Sequence, residues 1–311
     1  MGGFFVYDTV IIGMGPAGMT AAVYAARKKM NTMLVGKEYG GQVAWTSEVE
    51  NYMGFQMISG PGLMDKFEEQ VKHYPVERKQ SEVIRVEKEG DHFVVRCKDG
   101  EEYHCRTVIY SAGKYPRRLN VPGEKKFTGQ GVSYCAVCDG PFFEGKPVAV
   151  IGGGNSALEA VIDMLKIAVH VYVVSIEDWN ADPVLAERAL QAQNITVLKG
   201  YQTLSINGEE NVRSITIRSL ESGEEKELAV EGVFVEIGTM PSNEPVKGLV
   251  QINKLGEIEV DCSCNTNVPG LFAAGDVTSI PEKQVIVAAG EGAKAALGAY
   301  RHLLTSTPVQ H

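Results

Sequence analysis

The chain repeats one pattern of apolar and glycine residues at two places. In each copy a short apolar run, at residues 10–12 or 149–151, leads into a cluster of glycines and then into a longer apolar run. This order predicts a buried strand, a tight turn and a helix. A second apolar run, at 32–35 or 171–174, completes a βαβ unit of about 30 residues in each copy. The pattern therefore predicts two dinucleotide-type α/β folds.

Alternating apolar and polar residues predict further strands after each βαβ unit. These strands lie at residues 82–86, 92–97 and 102–110 in the first half, and at 202–206, 212–219 and 226–230 in the second. Glycine-containing turns separate them, as is typical of antiparallel strands. We therefore expect an accessory sheet in each domain.

Polar, proline-bearing stretches at residues 114–118 and 241–245 are where we expect the chain to cross between domains. Two crossings imply that one domain is inserted in the other. The predicted fold class is α/β, with two dinucleotide-binding domains that are Rossmann-like and have three ββα layers. Residues 1–115 and 244–311 would form the first domain, and residues 116–243 the second.

The two glycine clusters have the chemistry of a phosphate-binding loop. They read Gly13-Met14-Gly15-Pro16-Ala17-Gly18 and Gly152-Gly153-Gly154-Asn155-Ser156-Ala157. In such a loop the glycines permit a tight turn, a close approach of the backbone to a pyrophosphate, and close packing of helix against strand. The N–H groups at the start of the helix then face the phosphate. A structural turn is the alternative for one copy alone, but two copies between strand and helix favour dinucleotide binding.

A carboxylate that binds the ribose hydroxyls is expected at the end of the second strand, about 20 residues after the first glycine. Gly36 and Ser175 occupy these positions, so neither copy has the acid there. Glu38 and Glu177 follow two residues later, and each is a candidate to reach the ribose from the loop. A solvated loop carboxylate is the alternative for each.

The sharpest motif of the chain is Cys135-Ala136-Val137-Cys138-Asp139. Two thiols separated by two residues can close a small disulfide, and at a helix start the helix dipole favours a thiolate. One sulfur then attacks and the other resolves, while Asp139 offers a proton. The alternative is a zinc site that joins this pair to Cys262 and Cys264, although a single residue separates those two cysteines.

Composition narrows the class of protein. The chain has 311 residues, 30 of them basic and 39 acidic, and its formal net charge of −9 argues against binding to nucleic acid or to an anionic membrane. Six cysteines are too few for an extracellular disulfide framework and fit a reducing compartment, so we expect a cytoplasmic protein. We expect no export signal, lipid anchor, membrane span or metal cofactor.

In this order, the motifs resemble those of the low-molecular-weight thioredoxin reductases and, equally closely, of the reductase portion of the alkyl hydroperoxide reductase flavoprotein subunit. The resemblance covers essentially the whole chain, and it implies that the first domain binds FAD and the second a nicotinamide nucleotide. It also implies that Cys138 meets the flavin and that Cys135 attacks the substrate disulfide. The residues that it places at the flavin are Gly13, Gly15, Pro16, Ala17, Gly18, Gly41, Gln42, Asn51, Gly113, Gly275, Asp276, Gln284 and Val285.

The chemistry of the C-terminal region agrees with this resemblance. Residues 271–276 form an apolar run that ends in the carboxylate of Asp276, which suits a ribityl hydroxyl. A helix cap is the alternative role for this residue. The sequence Gly290-Glu291-Gly292 is expected to begin a helix directed at the flavin ring.

One departure from the family concerns the second nucleotide, for which the candidate residues are Gly152, Gly154, Asn155, Ser156, Ser175 and Glu177. NADPH-using members carry a His-Arg-Arg run and a further arginine for the 2′-phosphate. Here residues 171–187 contain no Lys or Arg, and residues 175–183 contain three carboxylates. NADH is therefore favoured over NADPH. The alkyl hydroperoxide reductase flavoproteins have glutamate where Ser175 stands, so the match to an NADH site is also incomplete.

The sequence thus predicts an FAD-dependent oxidoreductase similar to thioredoxin-disulfide reductase and, by resemblance, a homodimer. Its expected partner is a separate thioredoxin or thioredoxin/glutaredoxin-like protein, because the sequence lacks the redox domain of the alkyl hydroperoxide reductase class. Two alternatives stay open. One keeps the thiol output but takes electrons from ferredoxin or another non-nicotinamide donor, and the other is a flavin-bearing redox sensor or partner module without turnover.

Overall fold

The computed structural model describes residues 6–46 and 48–306. The chain divides into two compact units, the first formed by Met1–Tyr115 and Met240–His311 and the second by Pro116–Thr239. The second unit is therefore inserted in the first. The chain returns to the first unit within the short strand Thr239–Pro241, a few residues before the return expected at residue 244.

The described residues form seventeen strands and six α-helices. The strands are β1 (Val6–Met14), β2 (Thr32–Tyr39), β3 (Glu77–Gln80), β4 (Val83–Glu89), β5 (His92–Cys97), β6 (Glu102–Tyr110), β7 (Lys114–Pro116), β8 (Val132–Ser133), β9 (Pro147–Ile151), β10 (His170–Ser175), β11 (Ile195–Lys199), β12 (Tyr201–Gly208), β13 (Val212–Ser219), β14 (Glu225–Ala229), β15 (Gly232–Val235), β16 (Thr239–Pro241) and β17 (Leu271–Ala273). The helices are α1 (Pro16–Arg27), α2 (Gly60–Lys72), α3 (Ala136–Asp139), α4 (Asn155–Met164), α5 (Pro183–Leu190) and α6 (Val285–Thr305).

The first unit is built on one seven-stranded sheet of order β3-β2-β1-β6-β5-β4, with β17 also paired to β6. Strand β1 pairs in parallel with β2 and β6, β5 pairs antiparallel with the first half of β6, and β17 pairs in parallel with its last three residues. The expectation of a separate accessory sheet is therefore wrong for this unit. The nine-residue β6 is long enough to join the antiparallel β4 and β5 to the parallel strands.

Helices α1 and α6 pack on one face of this sheet through alanine-rich surfaces. The completely buried alanines are Ala21, Ala22 and Ala25 of α1 and Ala295, Ala296 and Ala299 of α6. Small side chains let the two helices approach closely. A Cβ added to Gly292 would lie 2.0 Å from the carbonyl oxygen of Ala17, so only glycine fits there. This packing holds the start of α1 against the first turns of α6.

The second unit has a five-stranded parallel sheet of order β11-β10-β9-β15-β8 and a separate antiparallel sheet of order β12-β13-β14. Alternate residues of β9 face opposite ways, because side chains alternate along a strand. Val148 and Val150 pack with α4, while Ala149 and Ile151 pack with the antiparallel sheet. These are the three ββα layers, and the prediction of an α/β fold with two Rossmann-like units is confirmed.

No helix among the described residues combines the length and the apolar character that crossing a bilayer requires.

Candidate functional site

The first glycine loop joins the end of β1 to the start of α1. A Cβ added to Gly13 would lie 2.2 Å from the carbonyl oxygen of Ser111, and one added to Gly18 would lie 1.8 Å from that of Gly13. The fold itself therefore requires both glycines. A Cβ added to Gly15 would meet nothing within 4 Å. Since α1 begins at Pro16 without a side-chain cap, this open space lies beside free backbone N–H groups.

Gly36, where the ribose-binding acid is missing, lies against this loop. A Cβ at Gly36 would lie 2.9 Å from the backbone nitrogen of Met14. Packing against the loop backbone thus excludes any side chain at this position, and an acid cannot replace the glycine. Glu38, two residues later, is exposed near the end of β2.

Several residues that the sequence places at the flavin lie close to one another in the first unit. Gly41 begins a 3-10 turn, and its Cβ would lie 3.6 Å from the Cα of Gly15. Gln42 donates a hydrogen bond from Nε2 to the carbonyl oxygen of Lys114, next to Gly113 (2.6 Å). Asn51 donates from Nδ2 to Oε1 of Gln284 (3.3 Å), although 233 positions separate the two in the chain.

Gly275 and Asp276 follow β17 beside two lysines. Burial raises the pKa of Asp276, while the charges of Lys114 and Lys283 oppose that rise. The N–H of Gly275 donates to Oε2 of Glu291 in α6 (2.7 Å). Glu291 is 3% exposed, and burial raises its pKa as well. Asp276 caps none of the described helices, since α6 begins after Gln284.

The expected helix start at Gly290 is wrong, because α6 begins five residues earlier at Val285. Its apolar first turn extends the helix toward the loop, and Gly292 serves the close contact with α1. Sequence reasoning therefore missed the role of Glu291, a carboxylate that holds the backbone at Gly275. Its signal was a single acid between two glycines in an otherwise apolar run.

Cys135 and Cys138 of the second unit form a disulfide at the start of the single-turn α3. Cys135 is the N-cap residue, and its sulfur accepts a hydrogen bond from the N–H of Cys138 (3.2 Å). The hydroxyl of Ser133, at the end of β8, accepts a hydrogen bond from the N–H of Cys135 (3.0 Å). Burial raises the pKa of Asp139, and a hydrogen bond with Ser133 opposes that rise.

The zinc alternative finds no ligand set in this structure. Within residues 6–46 and 48–306, no group of three or more His, Cys, Asp or Glu side chains is placed to hold a metal ion. Cys262 is an exposed free thiol, and Cys264 is a buried one. Burial raises the pKa of Cys264 to about 12, which disfavours the thiolate that a metal would need.

The second glycine loop joins β9 to α4, and other residues of the same unit lie against it. A Cβ added to Gly153 would lie 3.2 Å from Cδ1 of Trp179, and one added to Gly154 would lie 3.5 Å from Oδ1 of Asn180. Asn155 accepts a hydrogen bond at Oδ1 from the N–H of Asp182 (2.7 Å). Ser156 is exposed in the first turn of α4.

Ser175 ends β10 and is buried, and its hydroxyl donates to the carbonyl oxygen of Glu177 (2.8 Å), whose side chain is exposed. Lys199, at the end of β11, pairs in register with Ser175. Its Nζ lies 3.2 Å from Oδ1 of Asp178 and 5.0 Å from the centre of the Trp179 ring. Sequence reasoning missed this cation because it lies on the neighbouring strand, outside the segment searched for Lys and Arg.

Comparison with known proteins agrees with this geometry. Residues 7–292 match the family described as Pyridine nucleotide-disulphide oxidoreductase. An "NADH dehydrogenase" of Bacillus subtilis (strain 168) is 44% identical over 299 residues, covering 96% of this chain and 59% of the relative. The alkyl hydroperoxide reductase flavoprotein of Pseudomonas putida is 42% identical over 308 residues, covering 97% and 59%. The chain therefore spans 59% of the length of these curated relatives.

Among solved structures, the thioredoxin reductase from Streptococcus pyogenes MGAS5005 superposes with a TM-score of 0.93 at 38% identity. The match covers 97% of this chain and 99% of that one. The resemblance to thioredoxin reductases and to the alkyl hydroperoxide reductase flavoprotein is thus confirmed, and the family implies FAD and a nicotinamide cofactor. The chain belongs to the pyridine nucleotide-disulphide oxidoreductase family, as a flavoprotein disulfide oxidoreductase similar to thioredoxin reductase.

Proposed function

We propose that this chain is an FAD-dependent disulfide reductase that takes electrons from NADH and passes them, through Cys135 and Cys138, to a thioredoxin-like protein. The observation that carries the proposal is the disulfide itself, closed at a helix start with the Cys135 sulfur accepting a backbone N–H. Because the chain spans 59% of its curated relatives, the activity is argued from the residues of this chain.

The first unit has groups that fit FAD. The open space at Gly15 and the uncapped start of α1 suit a pyrophosphate, and the buried carboxyl of Asp276 suits the hydroxyls of a ribityl chain. Gly41 lies beside the same loop, and Glu291 holds the turn that presents Asp276. FAD, when bound, supplies hydride acceptance and two-electron transfer, for which the protein provides binding and orientation.

Gly15→Val is expected to give a folded protein that does not retain FAD. The chain has room for the valine side chain, but that side chain fills the space through which the pyrophosphate must approach the backbone. Bound FAD, measured from visible absorbance after reconstitution, should fall from about one per chain to near zero, with Gly15→Ala in between. Thermal unfolding of the FAD-free proteins is the control for folding. Wild-type FAD content in Gly15→Val would contradict this role for the loop.

The two cysteines carry out thiol–disulfide exchange. Reduction of their disulfide takes two electrons and two protons. The thiolate of Cys135 then attacks the partner's disulfide, forms a mixed disulfide and releases one partner thiolate. Cys138 attacks the Cys135 sulfur of that mixed disulfide, which releases the second partner thiolate and closes the pair again. The N–H of Cys138, which points at the Cys135 sulfur, supports Cys135 as the nucleophile because it stabilises a thiolate there.

Asp139 supplies a proton in this exchange. Because burial raises its pKa, the carboxyl stays protonated at a higher pH than an exposed aspartate does. A protonated acid next to Cys138 can protonate a departing thiolate. This supports the assignment of Asp139 as the proton donor.

The choice of NADH rests on charge. The carboxylates of the segment after β10 repel a 2′-phosphate, and the nearest lysine, Lys199, already pairs with Asp178. The name of the relative from Bacillus subtilis, "NADH dehydrogenase", supports the same choice. Glu177, exposed two residues after Ser175, is the carboxylate available to the ribose hydroxyls.

Anaerobic reduction with NADH, NADPH and reduced ferredoxin in parallel tests the proposal. We expect NADH to bleach the visible flavin absorbance and, in the presence of thioredoxin, to support continuous turnover. Bleaching by ferredoxin alone would replace the donor and leave the thiol output in place. Bleaching without any reduction of thioredoxin would contradict the disulfide reductase and favour the sensor alternative.

A further inference from the structure

Residues 176–182, which we call the strap, lie across the second glycine loop. The N–H of Asn180 donates to the carbonyl oxygen of Gly153 (3.0 Å), and the N–H of Asp182 donates to Oδ1 of Asn155 (2.7 Å). The carbonyl oxygen of Glu177 accepts from the hydroxyl of Ser175 (2.8 Å). The strap thus engages three residues of the loop and strand end where a dinucleotide is expected to bind.

We propose that the strap closes the second glycine loop in the absence of nucleotide, with Trp179 as its latch, so that a dinucleotide binds only after Trp179 and Asn180 leave Gly153 and Gly154. This inference rests on the proposed function, because it concerns the site assigned there to NADH. It makes strap opening the step that limits nucleotide affinity.

Trp179 is the part of the strap nearest the loop backbone. Its Cδ1 atom lies 3.2 Å from the position of a Cβ on Gly153, where the backbone is expected to approach the phosphates. The indole Nε1 is buried and has no hydrogen-bond partner. A buried donor without a partner is unfavourable, so Trp179 loses no hydrogen bond when it swings out and gains one with water. The latch is therefore held by packing alone.

Lys199 holds the strap from its outer side. Its Nζ pairs with Asp178 at 3.2 Å and lies 5.0 Å from the centre of the Trp179 ring. The side chain of Asp178 is 90% exposed, so water and salt weaken this pair. Such an anchor favours the closed strap without locking it.

The first glycine loop shows the contrast within the same chain. The two loops share their sequence pattern and their place between strand and helix, yet a Cβ on Gly15 would meet nothing within 4 Å. At the second loop, Trp179 and Asn180 fill the corresponding space. An open first loop fits a cofactor that stays bound, and a closed second loop fits a nucleotide that comes and goes.

The test measures binding of ADP-ribose, which carries the pyrophosphate and ribose but lacks a 2′-phosphate and the reactive ring. We expect Trp179→Ala and Lys199→Ala to bind ADP-ribose about tenfold more tightly than wild type by calorimetry, because affinity is reduced by the fraction of molecules that are open. Lys226→Ala is the matched control. Lys226 lies over the ring of Tyr201 and beside Glu224, with the 43% side-chain exposure of Lys199, but on the accessory sheet.

A second measurement follows the strap directly. The chain has two tryptophans, Trp45 and Trp179, so Trp45→Phe leaves Trp179 as the only indole. ADP-ribose should shift the emission of Trp179 to longer wavelength, since the indole leaves a buried place for water. Thermal unfolding of each variant confirms that it is folded.

The outcomes separate the strap from the proposed function. Unchanged or weaker binding in both Trp179→Ala and Lys199→Ala, or an unshifted Trp179 emission at saturation, overturns the strap while NADH can still reduce the wild type. If no variant binds ADP-ribose and NADH does not reduce the flavin, the nicotinamide part of the proposed function fails and the strap fails with it.

Discussion

Replacing either Cys135 or Cys138 with serine is expected to lower thioredoxin reduction by about three orders of magnitude or more, as when a nucleophile that acts as part of a unit is removed. The structure joins these two sulfurs in a disulfide, so neither can complete the exchange alone. Steady-state reduction of thioredoxin measures the loss. Reduction of the flavin by the electron donor should persist in both variants, because that half-reaction comes before the thiols act.

Trapping distinguishes the roles of the two thiols. Cys138→Ser keeps the attacking Cys135 and lacks the resolving thiol, so it should accumulate a mixed disulfide with thioredoxin that a non-reducing gel detects. Cys135→Ser should trap far less. Cys262→Ser is the matched control, since Cys262 is an exposed free thiol outside this site, and it should retain wild-type turnover. Wild-type turnover in both Cys135→Ser and Cys138→Ser would remove the pair from catalysis.

NADPH is expected to be used about a hundred-fold to ten-thousand-fold less well than NADH, judged by kcat/KM. Each charge-assisted hydrogen bond is worth about 1.5–3 kcal/mol, so two missing arginine contacts forfeit roughly 3–6 kcal/mol of 2′-phosphate binding. At about 1.4 kcal/mol per tenfold, this loss corresponds to the expected range. Exposed carboxylates after β10 add a repulsion that solvent screens in part.

Lys199 makes this preference adjustable. Asp178→Asn removes the charge that pairs with Lys199, so it should narrow the gap between NADPH and NADH. Ser175→Glu places an acid where the ribose hydroxyls are expected, and should improve NADH use. Glu177→Ala should weaken NADH use if that carboxylate binds the ribose. Asp163→Asn, which removes an exposed carboxylate paired with Lys166 away from the loop, is the control. A higher kcat/KM with NADPH than with NADH in wild type would contradict the assignment.

Local sequence determined the elements that depend on near neighbours. The strand, glycine turn and helix of each copy follow from short apolar runs and glycines, and the Cys135–Cys138 disulfide follows from a spacing of two residues. The insertion of one unit in the other follows from two polar crossings. These features were predictable because the interactions that form them lie within a few residues, or repeat with the period of a strand or helix.

The tertiary structure alone decided how distant segments meet. The antiparallel strands β4 and β5 join the main sheet because β6 has room for two partners along one edge. Glu291 reaches Gly275 because α1 and α6 pack closely, and Lys199 reaches Asp178 because β11 lies beside β10. Gly36 excludes an acid because the loop backbone touches it. Each is a contact between residues far apart in sequence or on neighbouring strands, for which local patterns carry no signal.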